Sequence, residues 1–186
     1  ETPASGRARH SGAMAVKVLM LGDAGVGKSS LRARAAGESY PAPADAQPTV
    51  THAVEVDGAE VQLELLDGSS DFAKRSTFYP NVDVIILCFS IVDPLTLLNI
   101  SRKWFPEVTE HAAGAKLLVV GTKQDLFSDE ATNKKLLAEG HHPVFGEDGE
   151  KLAGIMGAVG YMECSAKDEN GVAAVFEAAA RAATAQ

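Results

Sequence analysis

The sequence has 186 residues, 46% of them hydrophobic and 23% charged, enough for one domain with a sizeable buried core. Its formal charge of −8 argues against nucleic acid or an anionic membrane surface as the main partner, and no apolar run is long enough for a membrane-spanning helix. The two cysteines, Cys88 and Cys164, sit in apolar, strand-like stretches where a thiol acts as a small hydrophobe, which fits a reducing, cytoplasmic compartment.

Residues 1–13 are rich in Ala, Ser, Gly and Arg, and are expected to be a disordered leader or one added for expression, with Met14 the natural start. Val16 to Leu21 is a short apolar run of buried-strand character. It leads into Gly22-Asp23-Ala24-Gly25-Val26-Gly27-Lys28-Ser29-Ser30, which fits the phosphate-binding pattern G-x-x-x-x-G-K-[ST], and good helix formers follow from Leu31 to Ala36. Strand, glycine turn and helix is the order that cradling a phosphate requires. The glycines let backbone N–H groups converge on phosphate oxygens, and the helix N-terminus adds its positive end. Lys28 is expected to reach the β- and γ-phosphates, and the Ser29 hydroxyl to ligate Mg²⁺.

The prolines between Tyr40 and Val50 exclude regular helix or a central strand, and a loop of this length is functional or mobile. Two strands, Thr51 to Val56 and Glu60 to Leu66, are predicted around the turn Asp57-Gly58. The second ends at Asp67, and residues 68–80 read as polar and irregular. Val82 to Phe89 has the composition of a central parallel strand, and Asp93-Pro94 opens a helix through about His111. Then come a strand from Lys116 to Val120, a short polar helix from Ser128 to Ala138, a helix from Glu147 to Val159, a strand from Tyr161 to Cys164 and a helix from Val172 to Ala183. Alternating strands and helices predict an α/β fold with a six-stranded, mostly parallel sheet covered on both faces, with ligands at the carboxyl ends of the strands. The five histidines show no metal-ligand spacing.

Four stretches fall at those ends: the glycine loop, Thr49 with Asp67, Thr122-Lys123-Gln124-Asp125, and Cys164-Ser165-Ala166-Lys167. Together they resemble a Ras-like small GTPase, a P-loop NTPase of the small G-protein fold, over about Met14 to Ala183. Pro48-Thr49-Val50, Cys88-Phe89-Ser90, Trp104-Phe105-Pro106-Glu107-Val108 and Gly160-Tyr161-Met162-Glu163-Cys164 are similar to the Rho/Rac branch, as is an extra segment at about 128–142. The resemblance implies a GTP/GDP switch, with residues 14–186 as the G domain. Asp23 to Ser30, with Lys28 also catalytic, and Gly68 would hold phosphates. Ser29, Thr49 and Asp67 would hold Mg²⁺, and Thr49 would also meet the γ-phosphate. Asp125 would accept from the guanine N1–H and amino group, Lys123 would cover the base beside Thr122, and the backbone of Ser165, Ala166 and Lys167 would approach the guanine carbonyl. Tyr40 would lie against the base, or is simply a surface tyrosine. Effector, exchange-factor or GAP proteins would be met through residues 40–52 and 67–80.

Three departures qualify this. Ala24 replaces a glycine whose backbone lies against the catalytic glutamine. Asp67-Gly68-Ser69-Ser70-Asp71-Phe72 carries no glutamine, and depending on where a gap falls Ser69 or Asp71 takes its place. The proline loop is longer than the family's, and the segment after Asp67 shorter. Hydrolysis is therefore expected to be weak or absent, with a non-cycling interaction module as the alternative. The sequence has no C-terminal prenylation box, so either a lipidated tail lies beyond Gln186 or the protein is not prenylated.

Overall fold

The computed structural model describes residues 14–42, 49–68 and 71–185. The expected leader, the proline-loop residues 43–48, and Ser69 and Ser70 lie outside the described residues. The elements are β1 (Met14–Leu21), α1 (Lys28–Ala35), β2 (Thr49–Val56), β3 (Ala59–Asp67), α2 (Phe72–Arg75), β4 (Val84–Ser90), α3 (Pro94–Asn99), α4 (Phe105–His111), β5 (Lys116–Thr122), α5 (Glu130–Ala138), α6 (Gly146–Ile155), β6 (Gly160–Glu163) and α7 (Val172–Thr184). The strands form one sheet in the order β2-β3-β1-β4-β5-β6. Only β2 runs antiparallel to its neighbour, so the sheet matches the six-stranded, mostly parallel expectation.

Each strand's pattern explains its place. β4, Val-Ile-Ile-Leu-Cys-Phe-Ser, is buried at every residue and lies between β1 and β5. Its alternate side chains feed two cores. On one face, Val84, Ile86 and Cys88 pack with Leu31 of α1 and with Val175 and Phe176 of α7. On the other, Ile85, Leu87 and Phe89 pack with Trp104, Val108 and Ala153. Cys88 and Cys164 are buried and free, and burial pushes both thiols up, Cys164 to about 12. The β2–β3 turn has Asp57 and Gly58 both at positive φ, 52° and 79°, the conformation that a two-residue Asp-Gly hairpin favours.

Two stretches differ from the sequence reading. Residues 94–111 are not one regular helix, because a π-turn over Ile100–Trp104 separates α3 from α4. Pro106 supplies the reason: it has no N–H to donate back up the helix, and its ring would clash with the carbonyl four residues earlier. Residues 72–78 are also not irregular, since α2 is followed by a 3₁₀ turn at Ser76–Phe78. Helix α6 stops before Val159 because Gly157 turns left-handed and the Ala158 N–H bonds back to the Ala153 carbonyl.

Candidate nucleotide-binding site

The carboxyl ends of β1, β3, β5 and β6 converge on one end of the sheet. Between β1 and α1 the chain must turn tightly beside β4. A Cβ on Gly22, at φ 147°, would lie 2.1 Å from the Cys88 carbonyl oxygen, so only glycine fits there. Gly27, at φ 104°, caps α1, whose free N–H groups open into the loop. Ala24 is exposed on the loop and is not among the positive-φ residues, so its methyl is tolerated by the backbone.

Lys28 is 9% exposed, and its ammonium donates to the Gly22 and Asp23 carbonyls at 2.9 and 2.8 Å. It is thus folded onto the loop whose ligands it is expected to serve. The Ser29 hydroxyl donates to the Asp67 carboxylate from the end of β3, which joins two of the three expected metal ligands. Hydroxyl and carboxylate together are two hard oxygen donors, the chemistry that Mg²⁺ accepts. Thr49, the third, begins β2 opposite Leu66, one residue from Asp67 on the ladder, and no hydrogen bond joins its hydroxyl to the pair. The Gly68 N–H is taken by the Met20 carbonyl at 2.9 Å and so is not offered to a phosphate in this conformation.

Asp23 does something that the motif did not foretell. Its carboxylate accepts from Asn99 Nδ2 at 2.6 Å and from Trp104 Nε1 at 2.9 Å. It therefore ties the glycine loop to the segment that joins α3 and α4. The π-turn brings Asn99 and Trp104 together to meet it. The Trp104 ring in turn lies beneath the Arg75 guanidinium, 5.1 Å from the ring centre. Arg75 makes a two-pronged ion pair with Glu107, at 2.6 and 2.7 Å, and the Tyr79 hydroxyl bonds to the same carboxylate. The Arg75 and Tyr79 bonds hold the Glu107 carboxyl below the usual range, while burial and then Glu107 push the Tyr79 phenol up. The segment after Asp67 is thereby anchored to α4. Asp71 accepts from the Ala73 N–H at 3.0 Å as the N-cap of α2.

The opposite half of the site is a cavity lined by Gly25, Gly27, Ser30 and Leu31 on one side, Tyr40 at its mouth, and Thr122, Lys123, Asp125, Cys164, Ala166 and Lys167 on the other. Thr122 is buried, and its hydroxyl reaches the Val26 and Phe89 carbonyls, which locks the end of β5 to the glycine loop. Lys123 turns left-handed, at φ 60°, and puts Asp125 into a 3₁₀ turn. The Ser165 hydroxyl donates to Asp125 at 2.7 Å, and Lys167 Nζ lies 3.9 Å from the same carboxylate. The residues expected from sequence at the base are therefore together, with Tyr40, 43% exposed, facing them. Asn99, Trp104, Arg34, Arg75, Tyr79 and Glu107 were not assigned roles by sequence reasoning. Only the Trp104–Val108 motif carried a signal for any of them.

A glycine loop with lysine and serine at the switch point of a parallel sheet, and an acid at the end of the neighbouring strand, defines a P-loop nucleotide-binding domain of the small G-protein kind. The sequence model of the Ras family matches residues 17–185, and the chain belongs to that family. It is a small GTPase by class, a binder of guanine nucleotide in a family of GTP-dependent switches. No helix among the described residues is long and apolar enough to cross a membrane.

Proposed function

We propose that the protein is a Rho-like, Mg²⁺-dependent GTP/GDP switch of the cytoplasm with very slow intrinsic hydrolysis. The Rho placement is supported by the capped helix α5 inside the extra segment, where Asp129 accepts from the Thr132 N–H at 2.8 Å, and by the Trp104-Asp23 bond. In this reading Lys28 exchanges its loop carbonyls for phosphate oxygens, and α1 presents its N-terminal N–H groups to them. Ser29 and Asp67 would hold the metal, with Thr49 as the third ligand. Bound there, Mg²⁺ would neutralise phosphate charge. Asp125 accepts from the base, whose specificity rests on leaving no buried carboxylate unpaired. Partners meet the loops at 40–52 and 67–80, where Phe72 is 45% exposed.

The observation that carries the slow hydrolysis is the fate of residues 71–79. No glutamine lies between Asp67 and Pro80 to orient water. Asp71 is used as a helix cap, and Arg75 is engaged by Glu107, so neither is poised to help a transferring phosphoryl group. Positioning and charge stabilisation are nearly all that such an enzyme contributes. Single-turnover hydrolysis of pre-loaded GTP should run below the unaided Ras-type rate of about 3–5 × 10⁻⁴ s⁻¹, with little recovery in Ala24→Gly. A rate at or above that value refutes the reading. The same engagement of residues 71–79 favours a second reading, a non-cycling interaction module. It is distinguished by bound guanine nucleotide that is neither hydrolysed nor released faster when EDTA removes Mg²⁺.

A further inference from the structure

We propose that Arg34 is a specificity-determining, positioning residue. It holds the loop at Ser165–Lys167 so that two backbone N–H groups recognise the 6-oxo group of a purine nucleotide. The inference rests on the guanine-nucleotide reading of the cavity and assigns its selectivity to a residue outside every motif.

Arg34 lies in the last turn of α1, and its guanidinium serves four acceptors in two segments of chain. Nε donates to the Ala166 carbonyl at 2.9 Å and Nη2 to the Lys167 carbonyl at 3.4 Å. Nη1 pairs with the Glu169 carboxylate at 2.7 Å and touches the Glu38 carbonyl at 3.5 Å. The guanidinium carbon is 5.8 Å from the centre of the Tyr40 ring at the cavity mouth. One side chain thus links the mouth to the far wall.

Two other N–H groups of that wall are also committed. The Ser165 N–H bonds to the Asn170 carbonyl at 2.9 Å, and the Asp168 N–H to the Ser165 hydroxyl at 3.1 Å. Among the described residues, the N–H groups of Ala166 and Lys167 have no such partner, and both residues line the cavity. The C=O and N–H of a trans peptide point in opposite directions. Drawing the Ala166 carbonyl onto Arg34 therefore turns the Lys167 N–H away from α1. Two adjacent donors suit one carbonyl oxygen with its two lone pairs, while Asp125 presents an acceptor in the same cavity. A carbonyl beside a ring N–H is what a 6-oxopurine offers. A 6-aminopurine would set donor against donor.

The test uses the full chain and two probes that differ at one atom, GDP and 6-thio-GDP, in which the weaker acceptor sulfur replaces O6. Wild type should prefer GDP. Arg34→Ala should weaken GDP by about tenfold, the equivalent of about 1.4 kcal/mol, and 6-thio-GDP by less, so that the ratio narrows while the GTP-to-GDP ratio stays put. Arg34→Lys, which keeps charge but lacks the fork that spans two carbonyls, should fall between. Glu169→Gln should leave the ratio unchanged. Equal weakening of both probes, or unchanged GDP affinity in Arg34→Ala, overturns the proposal. If that variant does not fold, Arg34→Lys decides by the same ratio. A wild-type protein that binds neither probe overturns the nucleotide reading itself, and is seen before any variant is made.

Discussion

Glu107→Gln is the sharpest probe of the anchor that holds the segment after Asp67. The carboxylate accepts both prongs of Arg75 at 2.6 and 2.7 Å, and the side chains are only 5% and 13% exposed. Removing one partner of a buried pair costs about 3–5 kcal/mol, because the other charge is stranded. The Gln amide oxygen can still accept one Arg75 bond, so a loss at the lower end, about 3 kcal/mol, follows, or roughly 6–12 °C in melting temperature at this size. The sign with pH is fixed by the lowered Glu107 carboxyl. Its stabilisation is complete above the ordinary carboxylate pKa and disappears as pH falls through the lower folded value, so the acid limb of stability should flatten in Glu107→Gln. Urea unfolding followed by Trp104, the single tryptophan of the sequence and in contact with Arg75, reads both effects. A loss below about 1 kcal/mol, with the acid limb unchanged, would refute the buried-pair argument.

Asp125→Ala removes the acceptor of the base cavity. Bonds to a charged group are worth about 1.5–3 kcal/mol each, so GDP affinity should fall at least tenfold; displacement of labelled GDP equally well by ATP and GTP in the wild type would contradict that role. His52, whose ring packs edge-on against Phe176 at 5.8 Å, has its pKa lowered by burial. The unfolded chain then binds the proton better, so stability present above about pH 6.5 is lost as pH falls toward the folded value. His52→Gln should remove that slope in denaturant midpoints measured between pH 5 and 7.

What was legible in the sequence was local. The glycine loop, the Asp-Gly hairpin and the all-apolar β4 each declare themselves within a few residues, because turn chemistry and periodicity act at short range. Asp67, Asp125 and Ser165 can be placed at one end of the sheet from sequence, because strand ends are readable and the sheet gathers them. The unread part is long-range pairing. Asp23 meets Trp104 from 81 residues away, and Arg34 meets Ala166 from 132. Nothing in the pattern around Arg34 separates it from an ordinary helix-surface arginine. The π-turn, which puts Asn99 and Trp104 on the same carboxylate, answers to Pro106 and to packing rather than to any period in the sequence.

Arg32 tests how the phosphate side balances stability against function. It is 1% exposed, and neither Nε nor Nη1 has a hydrogen-bond partner among the described residues. A helical side chain leans toward the preceding turn, which for Arg32 holds Lys28 and Ser29, so two cations share one buried helix face. Desolvated charge without a partner is costly, and like charges four apart add repulsion. Replacing even a paired buried charge by well-packed apolar groups is often neutral or stabilises by about 1–4 kcal/mol, and here two of the three guanidinium nitrogens have no bond to lose. Arg32→Met should therefore raise the melting temperature of the nucleotide-free protein. The same change removes positive potential beside Lys28, so the affinity for GTP should fall, and fall less at high salt, where that potential is screened. Thermal unfolding with and without GTP, at two salt concentrations, measures both. A nucleotide-free Arg32→Met protein that melts lower than wild type would show that the guanidinium is satisfied within the fold, and the trade-off argued from its missing partners would be wrong.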